Sequence, residues 1–222
     1  MPRRVNRLFV AFVAAILLAA VGISIARAAD SDLSVNVRLL AAARTSDATG
    51  VERALKEGAS ANARNRLGET ALLVAIKRND EAMARTMIAA GTDVNLAAVN
   101  GVTPLMAAAY GGQVEMVKTL LARGAKADAV DHLAKNAMTY AAGEGCTEVV
   151  ALLLARGVSP NAVYHNDLTA LMWAAGNGKV DTVKALLAAG AKPAMKDNRG
   201  KTALDMAREG HHTEVIALLE KA

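Results

Sequence analysis

The chain has 222 residues, room for one or two ordinary domains and too few for a large multidomain enzyme. Hydrophobic residues supply 53% of it and aromatics only 3%, so its core is built from Ala, Leu, Val and Met; this disfavours β-sandwiches and barrels, and charged residues at 21% exclude intrinsic disorder. The formal charge of +5 belongs to one end: Arg3, Arg4, Arg7 and Arg27 lie between Met1 and Ala28, a stretch that lacks Asp and Glu, so of 26 basic residues 22 remain to face 21 acidic ones, a net +1.

Residues 1–28 read as a signal peptide, with a basic start, an apolar run from Leu8 to Ile25, and small residues at Ala26 and Ala28 in an A-x-A pattern. Cleavage near Ala28 would release a chain beginning Ala29-Asp30-Ser31 into the periplasm or the medium, and the style of the leader points to a bacterial source. The alternative is a retained anchor, since a spanning helix needs ~20 apolar residues. Gly22, Ser24 and the A-x-A site favour cleavage, so membrane contact is expected only if the leader is kept. No lipobox-like Cys sits near the cut. The one cysteine, Cys146, cannot form an intramolecular disulfide and reads as an inert thiol.

From residue 29 to 222 the chain reads as one domain with an internal period. Thr70, Thr103, Asn136, Thr169 and Thr202 follow one another at a single constant interval. The same interval separates Gly58, Gly91, Gly124, Gly157 and Gly190, and also Ala75, Ala108, Ala141, Ala174 and Ala207; Leu120, Leu153, Leu186 and Leu219 form a fourth series. Thr or Asn before an apolar stretch is a good N-cap, and Thr103-Pro104 places Pro at the first helical position. A helix is therefore expected at each mark of the period. Each is short, because Asn79, Gly112, Gly145 and Gly178 follow about nine residues later. A second helix then runs to the glycine series, where a left-handed residue ends it. The remaining ten or so residues, rich in Asn, Asp and Gly, read as a turn or hairpin. The approximate units are 33–65, 66–98, 99–131, 132–164, 165–197 and 198–222, with the first degenerate and the last ending near its second helix.

The stretch Gly101-Val102-Thr103-Pro104-Leu105-Met106-Ala107-Ala108, continued by Leu120-Leu121-Ala122-Arg123-Gly124-Ala125, resembles the G-x-T-P-L-H-x-A … L-L-x-x-G-A pattern of ankyrin repeats. Asp167 to Ala191 repeats it almost in full, and the resemblance covers roughly Leu39 to Leu219. It implies an all-α solenoid of about six stacked helix-turn-helix repeats with short hairpin loops, preceded by the signal peptide. One departure recurs. Where the family has His after the leucine, this chain has Leu73, Met106, Thr139, Met172 and Asp205, so the hydrogen bond made there is expected to be absent.

The resemblance also implies a concave partner-binding face made of hairpin tips and the ends of the first helices. The tip residues carried over include Arg66, Asn100, His132, Lys135, His165, Asn166, Arg199 and Lys201. Lys77, Arg78, Tyr110, Glu144 and Asn177 are the matching helix-end positions, with Glu209 last, and Tyr110 and Tyr164 read as surface aromatics. Trp173 and Tyr140, at one shared helix position, are expected to pack between repeats. His132 and His165 share a tip position, but equivalent atoms of adjacent layers lie ~10 Å apart and zinc needs ligands within ~2.1 Å, so both read as turn residues. His212 falls at the family's inter-helix His and reads as structural. Glu115, Glu148, Asp181 and Glu214 recur once per period, as a solvated helix position does.

No phosphate loop, H-E-x-x-H, G-x-S-x-G or C-x-x-C is present. The expectation is an exported scaffold that mediates protein–protein interaction through its concave face, monomeric by itself, with no catalytic activity, no cofactor, no metal and no nucleic-acid partner. The alternatives are a small-molecule or metal-binding solenoid, and an inhibitor or immunity-type binder of an exported enzyme.

Overall fold

A computed structural model describes residues 35–222. The expected signal peptide and its cleavage site lie outside the described residues. Six helix pairs follow one another: α1 (35–44) with α2 (Ala48–Lys56), α3 (Ala71–Lys77) with α4 (Glu81–Ala89), and α5 (Pro104–Tyr110) with α6 (Val114–Ala122). Next come α7 (Ala137–Glu144) with α8 (Thr147–Ala155), α9 (Ala170–Gly176) with α10 (Val180–Ala188), and α11 (Ala203–Glu209) with α12 (Thr213–Leu219). The described residues contain no strand, only two isolated bridges at the necks of hairpin loops, Arg64 with Thr70 and Val163 with Thr169.

All five expected N-caps form. The side chains of Thr70, Thr103, Asn136, Thr169 and Thr202 accept from the amides of Leu73, Met106, Thr139, Met172 and Asp205. Each cap satisfies one of the donors that a helix start leaves unpaired. The helix ends obey the same register. Ser46, Asn79, Gly112, Gly145, Gly178 and His211 all have positive φ, between 56° and 82°. Gly58, Gly91, Gly124, Gly157 and Gly190 lie at φ 83° to 94°, and a Cβ on any of them would meet nothing within 4 Å, so glycine is required there by its backbone angle rather than by space.

One expectation is overturned. The bond made by the family's histidine is replaced, not lost. Thr103 and Thr169 donate their N–H to the thioether sulfurs of Met106 and Met172 at 3.4 Å. Asn136 N–H donates to Thr139 Oγ1 at 3.0 Å, and Thr202 N–H to Asp205 Oδ2 at 2.9 Å. Each closes a capping box, a sulfur being the weakest acceptor of the set. Leu73 alone offers no acceptor.

The first helices α3, α5, α7, α9 and α11 pack each against the next, and α6, α8, α10 and α12 form a second row behind them. The Ala series at 75, 108, 141, 174 and 207 is wholly buried where the first helices meet, as a close-contact position must be. Leu39, Val51, Met87, Leu120, Leu153, Leu186 and Leu219 join the same continuous core. Side chains between the helices of a pair also reach the preceding layer. Gln113 Nε2 donates to Ile76 C=O at 2.7 Å, and His212 Nε2 meets Gly176 C=O at 3.0 Å, which gives His212 its structural role.

The loops are tied by a second ladder. Asn62 Oδ1 accepts from Asp93 N–H, Asn95 Oδ1 from Lys126 N–H and Asn161 Oδ1 from Lys192 N–H, at 2.8 to 2.9 Å. At the tips, Val99 N–H donates to Leu67 C=O, His132 N–H to Asn100 C=O and Asn198 N–H to Asn166 C=O. Neither rung is made between the loops at 123–136 and 156–169. Asp128 stands where the ladder has Asn, and Tyr164 stands where Asn65, Asp131 and Asp197 hold their tips. The tip at His165–Asp167 is a single 3-10 turn with Asn166 and Asp167 both at positive φ.

Thr103→Ala should lower the stability of the stack by about 1 kcal/mol in a urea titration, and Leu120→Ala by about 2–5 kcal/mol, since the first removes a cap and the second leaves a cavity. Met106→Leu should cost less than Thr103→Ala, because it removes only the sulfur acceptor.

Candidate functional site

One position is half open in each of the first helices α3, α5, α7, α9 and α11: Val74, Ala107, Tyr140, Trp173 and Met206, each one period after the last. With the hairpin tips on one side and the helix ends on the other, this row lines a groove. A cleft of about 650 Å³ lies at the α1 end, lined by Leu40, Arg44, Arg66, Val74 and Arg78. A second, of about 540 Å³, has Val102, Ala107, Tyr110 and Tyr140. A third, of about 390 Å³, has Leu168, Trp173, Asn177, Arg199 and Met206.

The middle of the groove is aromatic. Tyr110 and Tyr140 meet edge to face with ring centres 6.0 Å apart, and Lys135 Nζ stands 4.4 Å from the centre of the Trp173 ring and 5.7 Å from that of Tyr140. Tyr140 donates to Asp131 Oδ2 at 2.6 Å. Asp131 is buried and also accepts from the amides of Leu133 and Lys135, so one carboxylate shapes the hairpin tip and aims the ring above it. Burial and then the Asp131 carboxylate push the Tyr140 phenol far above its ordinary pKa, so it stays a donor. The expected packing of Trp173 and Tyr140 between repeats is met in part: Trp173 packs against the core beside Gly143 and Tyr140 meets Tyr110 of the preceding repeat, but both are half-buried and also form the wall of the groove.

The residues carried over from the resemblance divide into free and occupied ones. Arg66, His132, His165 and Glu144 are exposed, and none takes part in an ion pair among the described residues. Tyr110 is 56% exposed. Lys77 binds Glu69 at 2.7 Å, and Arg78 Nε donates to Ser46 Oγ at 3.3 Å. Asn100 holds its own tip by accepting from Val102 N–H, and Asn166 accepts from Asn198. Asn177 Nδ2 donates to Trp173 C=O at 2.9 Å. Arg199 pairs with buried Asp197 at 2.8 Å, and Lys201 pairs with Glu209, so both cations are already matched by their own loop and helix. Tyr164 is a second correction: it is half-buried between two hairpins and its hydroxyl accepts from Asn136 Nδ2 at 3.0 Å, while burial makes the phenol harder to ionise.

The carry-over missed Arg44, Val74, Ala107 and Met206. For the last three the signal was the single-period step from Tyr140 and Trp173, the one helix position whose residue changes most in size from repeat to repeat.

Other titratable groups serve the fold. Burial, then the nearby Glu144 charge, raises the Cys146 thiol above its ordinary value against a smaller effect of Lys179, and its sulfur points at Tyr110 C=O from 3.9 Å, the place His212 takes two layers on. Glu115, Glu148, Asp181 and Glu214 are exposed. Among the described residues no group of three or more His, Cys, Asp or Glu gathers to hold a metal.

Two aspartates carry a pH dependence. Burial works against the Asp197 carboxylate, yet the amides of Lys201 and Arg199 and the Arg199 guanidinium hold its pKa below the ordinary 3.8. The N–H and hydroxyl of Thr202 do the same for Asp205. A lowered folded-state value contributes stability that is present above the unfolded value and is lost as pH falls through the folded one. The melting temperature should therefore drop on acidification below the ordinary aspartate range, and Asp205→Ala should flatten that part of the profile while lowering stability at neutral pH.

A search of curated proteins finds no match. The family model for ankyrin repeats (3 copies) matches at residues 39–131, 86–164 and 138–222. Ankyrin repeats generally mediate protein–protein interaction and are typically non-catalytic scaffolds. Those matches run through all six helix pairs, and the chain belongs to the ankyrin-repeat family.

Proposed function

We propose that this protein is an exported scaffold that holds one partner protein along its groove and performs no chemistry. The observation that carries the reading is the placement of its aromatic residues. Residues 35–222 contain Tyr110, Tyr140, Tyr164 and Trp173, and none of the four is in the buried core. Three line the groove and the fourth lies between its tips. A chain with so few aromatics that keeps them out of its core spends them where Tyr and Trp supply the central anchors of interfaces. Trp173 and Tyr140 are also held in place, by Lys135 and Asp131, so little side-chain entropy is lost when a partner covers them.

A specific interface takes about 800 Å² from each partner, so a partner is expected to span several clefts of the groove rather than one. The absence of chemistry is supported by the duties of the reactive groups: the thiol faces a carbonyl, the Tyr140 phenol is kept protonated, and the buried carboxylates hold loops. Export is supported by the leader. Exported inhibitors and immunity-type binders are specialised cases of the same reading.

Trp173→Ala and Tyr110→Ala should each weaken capture of the partner from the exported fraction by about 2 kcal/mol, some thirty-fold; the exposed Tyr110 should go with little change in melting temperature, whereas loss of Trp173, packed against the core, should lower it. Arg199 is a poor site for charge reversal because that change also strands Asp197. Undiminished capture by the Trp173→Ala, Tyr110→Ala double variant would refute the groove as the binding face. N-terminal sequencing of the exported protein should begin at Ala29; an intact leader would refute cleavage.

A further inference from the structure

The clefts along the groove differ in charge. At the α1 end the charged lining is Arg44, Arg64, Arg66, Lys77 and Arg78 against Glu69 alone. Five cations and one carboxylate leave +4 in one cleft, in a chain that carries +1 over everything after residue 28. The cleft beside Trp173 is balanced, Arg199 against Glu209, and the middle one has Lys77 as its only charge. The basic end is therefore a local property rather than a consequence of composition.

Its cations are only partly engaged. Arg64 donates to the carbonyls of Gly68 and Ala97 and Arg78 to the Ser46 hydroxyl, contacts that orient a guanidinium without neutralising it. Lys77 has Glu69, whose carboxylate, disfavoured by burial but held by Lys77 and Asn65, stays below its ordinary pKa. Arg44 and Arg66 are exposed and meet no carboxylate among the described residues. Between these heads the cleft wall is apolar: Val37, 63% exposed, with the half-buried Leu40 and Val74. An anion with no apolar part would leave that wall wet, and a purely apolar segment would strand the charges.

We infer that the α1 end of the groove binds an acidic peptide segment of the partner, in which carboxylates flank an aliphatic side chain. Arg44 and Arg66 take the carboxylates, for which the planar guanidinium offers paired donors, and Val37, Leu40 and Val74 take the side chain. This rests on the groove being the partner-binding face and adds what the partner presents there.

The test uses the full chain and a fluorescein-labelled peptide in which aspartates and glutamates flank one leucine, read by anisotropy. The peptide should bind, should lose about ten-fold or more in affinity to the Arg44→Ala, Arg66→Ala double variant, and should weaken steeply with added salt, as exposed charges beyond the ~10 Å screening length at 0.1 M do. The same peptide with Asn and Gln in place of its acids should not bind. Both arginines are exposed, so the variant should melt as the parent does, and Arg44→Lys, Arg66→Lys should recover part of the binding. Equal binding by parent and double variant would overturn the assignment. So would polyphosphate or an oligonucleotide that competes as well as the acidic peptide at equal charge, since the cleft would then be a general anion trap. Should partner capture depend on Trp173 and Tyr110 but not on Arg44 and Arg66, this assignment fails while the groove reading stands; dependence on neither removes both.

Discussion

The wholly buried methyl groups of Ala75, Ala108, Ala141, Ala174 and Ala207 set the distance between consecutive first helices, and the rest of the molecule follows from that distance. Each first helix has seven or eight residues, about two turns, too short to persist alone in water. It is stable only when packed against its neighbours, and a neighbour can close on it only where the contact residue is small. Stability is thus shared between adjacent layers rather than gathered at a centre. The groove is a by-product of the same geometry. The fifth helix position is wholly buried whereas the fourth is only partly so, and Val74, Ala107, Tyr140, Trp173 and Met206 differ widely in size along the stack.

Most of the architecture was legible in the sequence because it depends on local backbone chemistry repeated at a fixed interval. A Thr or Asn before an apolar run and a glycine after it mean the same thing in each layer, and every such mark from Thr70 to Thr202 became a cap. What was not legible depends on direction and on chemical equivalence. A period locates Trp173 and Tyr140 inside a helix but does not say how far the fourth position opens, so rings that pack between repeats and also line the groove were read as packing alone. Met106 and Met172 looked like the loss of a histidine's hydrogen bond because a thioether is seldom counted as an acceptor, yet both sulfurs sit where the box needs one. Tyr164 was matched to an exposed position, but its equivalents Ala98, Asp131 and Asp197 are buried, so the ring stands at an inward place of the tip.

That loop marks the one interruption in the loop ladder. Between 123–136 and 156–169 both rungs are missing: Asp128 stands in place of the asparagine and Tyr164 in place of the tip's Asx residue, although the tip that carries Ala98 makes its rungs without one. Side chains bridge the gap instead: Asn136 donates to Tyr164, and Lys135 reaches over Trp173. The helices beneath continue to pack, so the break is confined to the loop edge.

The substitution of side-chain for backbone ties falls at the aromatic middle of the groove, and this affects how the groove can respond. Backbone rungs fix the spacing of two loops, whereas an ammonium over a ring and a single amide-to-phenol bond tolerate small changes in it. The loop edge at this junction therefore has fewer backbone ties than its neighbours, where both rungs are made, while Thr147 and Thr182 still join the second helices below. A bound segment lying across Tyr140 and Trp173 would touch both sides of the junction at once and supply the tie that the loops lack. Any such ligand stabilises the stack by mass action. Its effect would be felt most between the fourth and fifth helix pairs, where the loop rungs are missing.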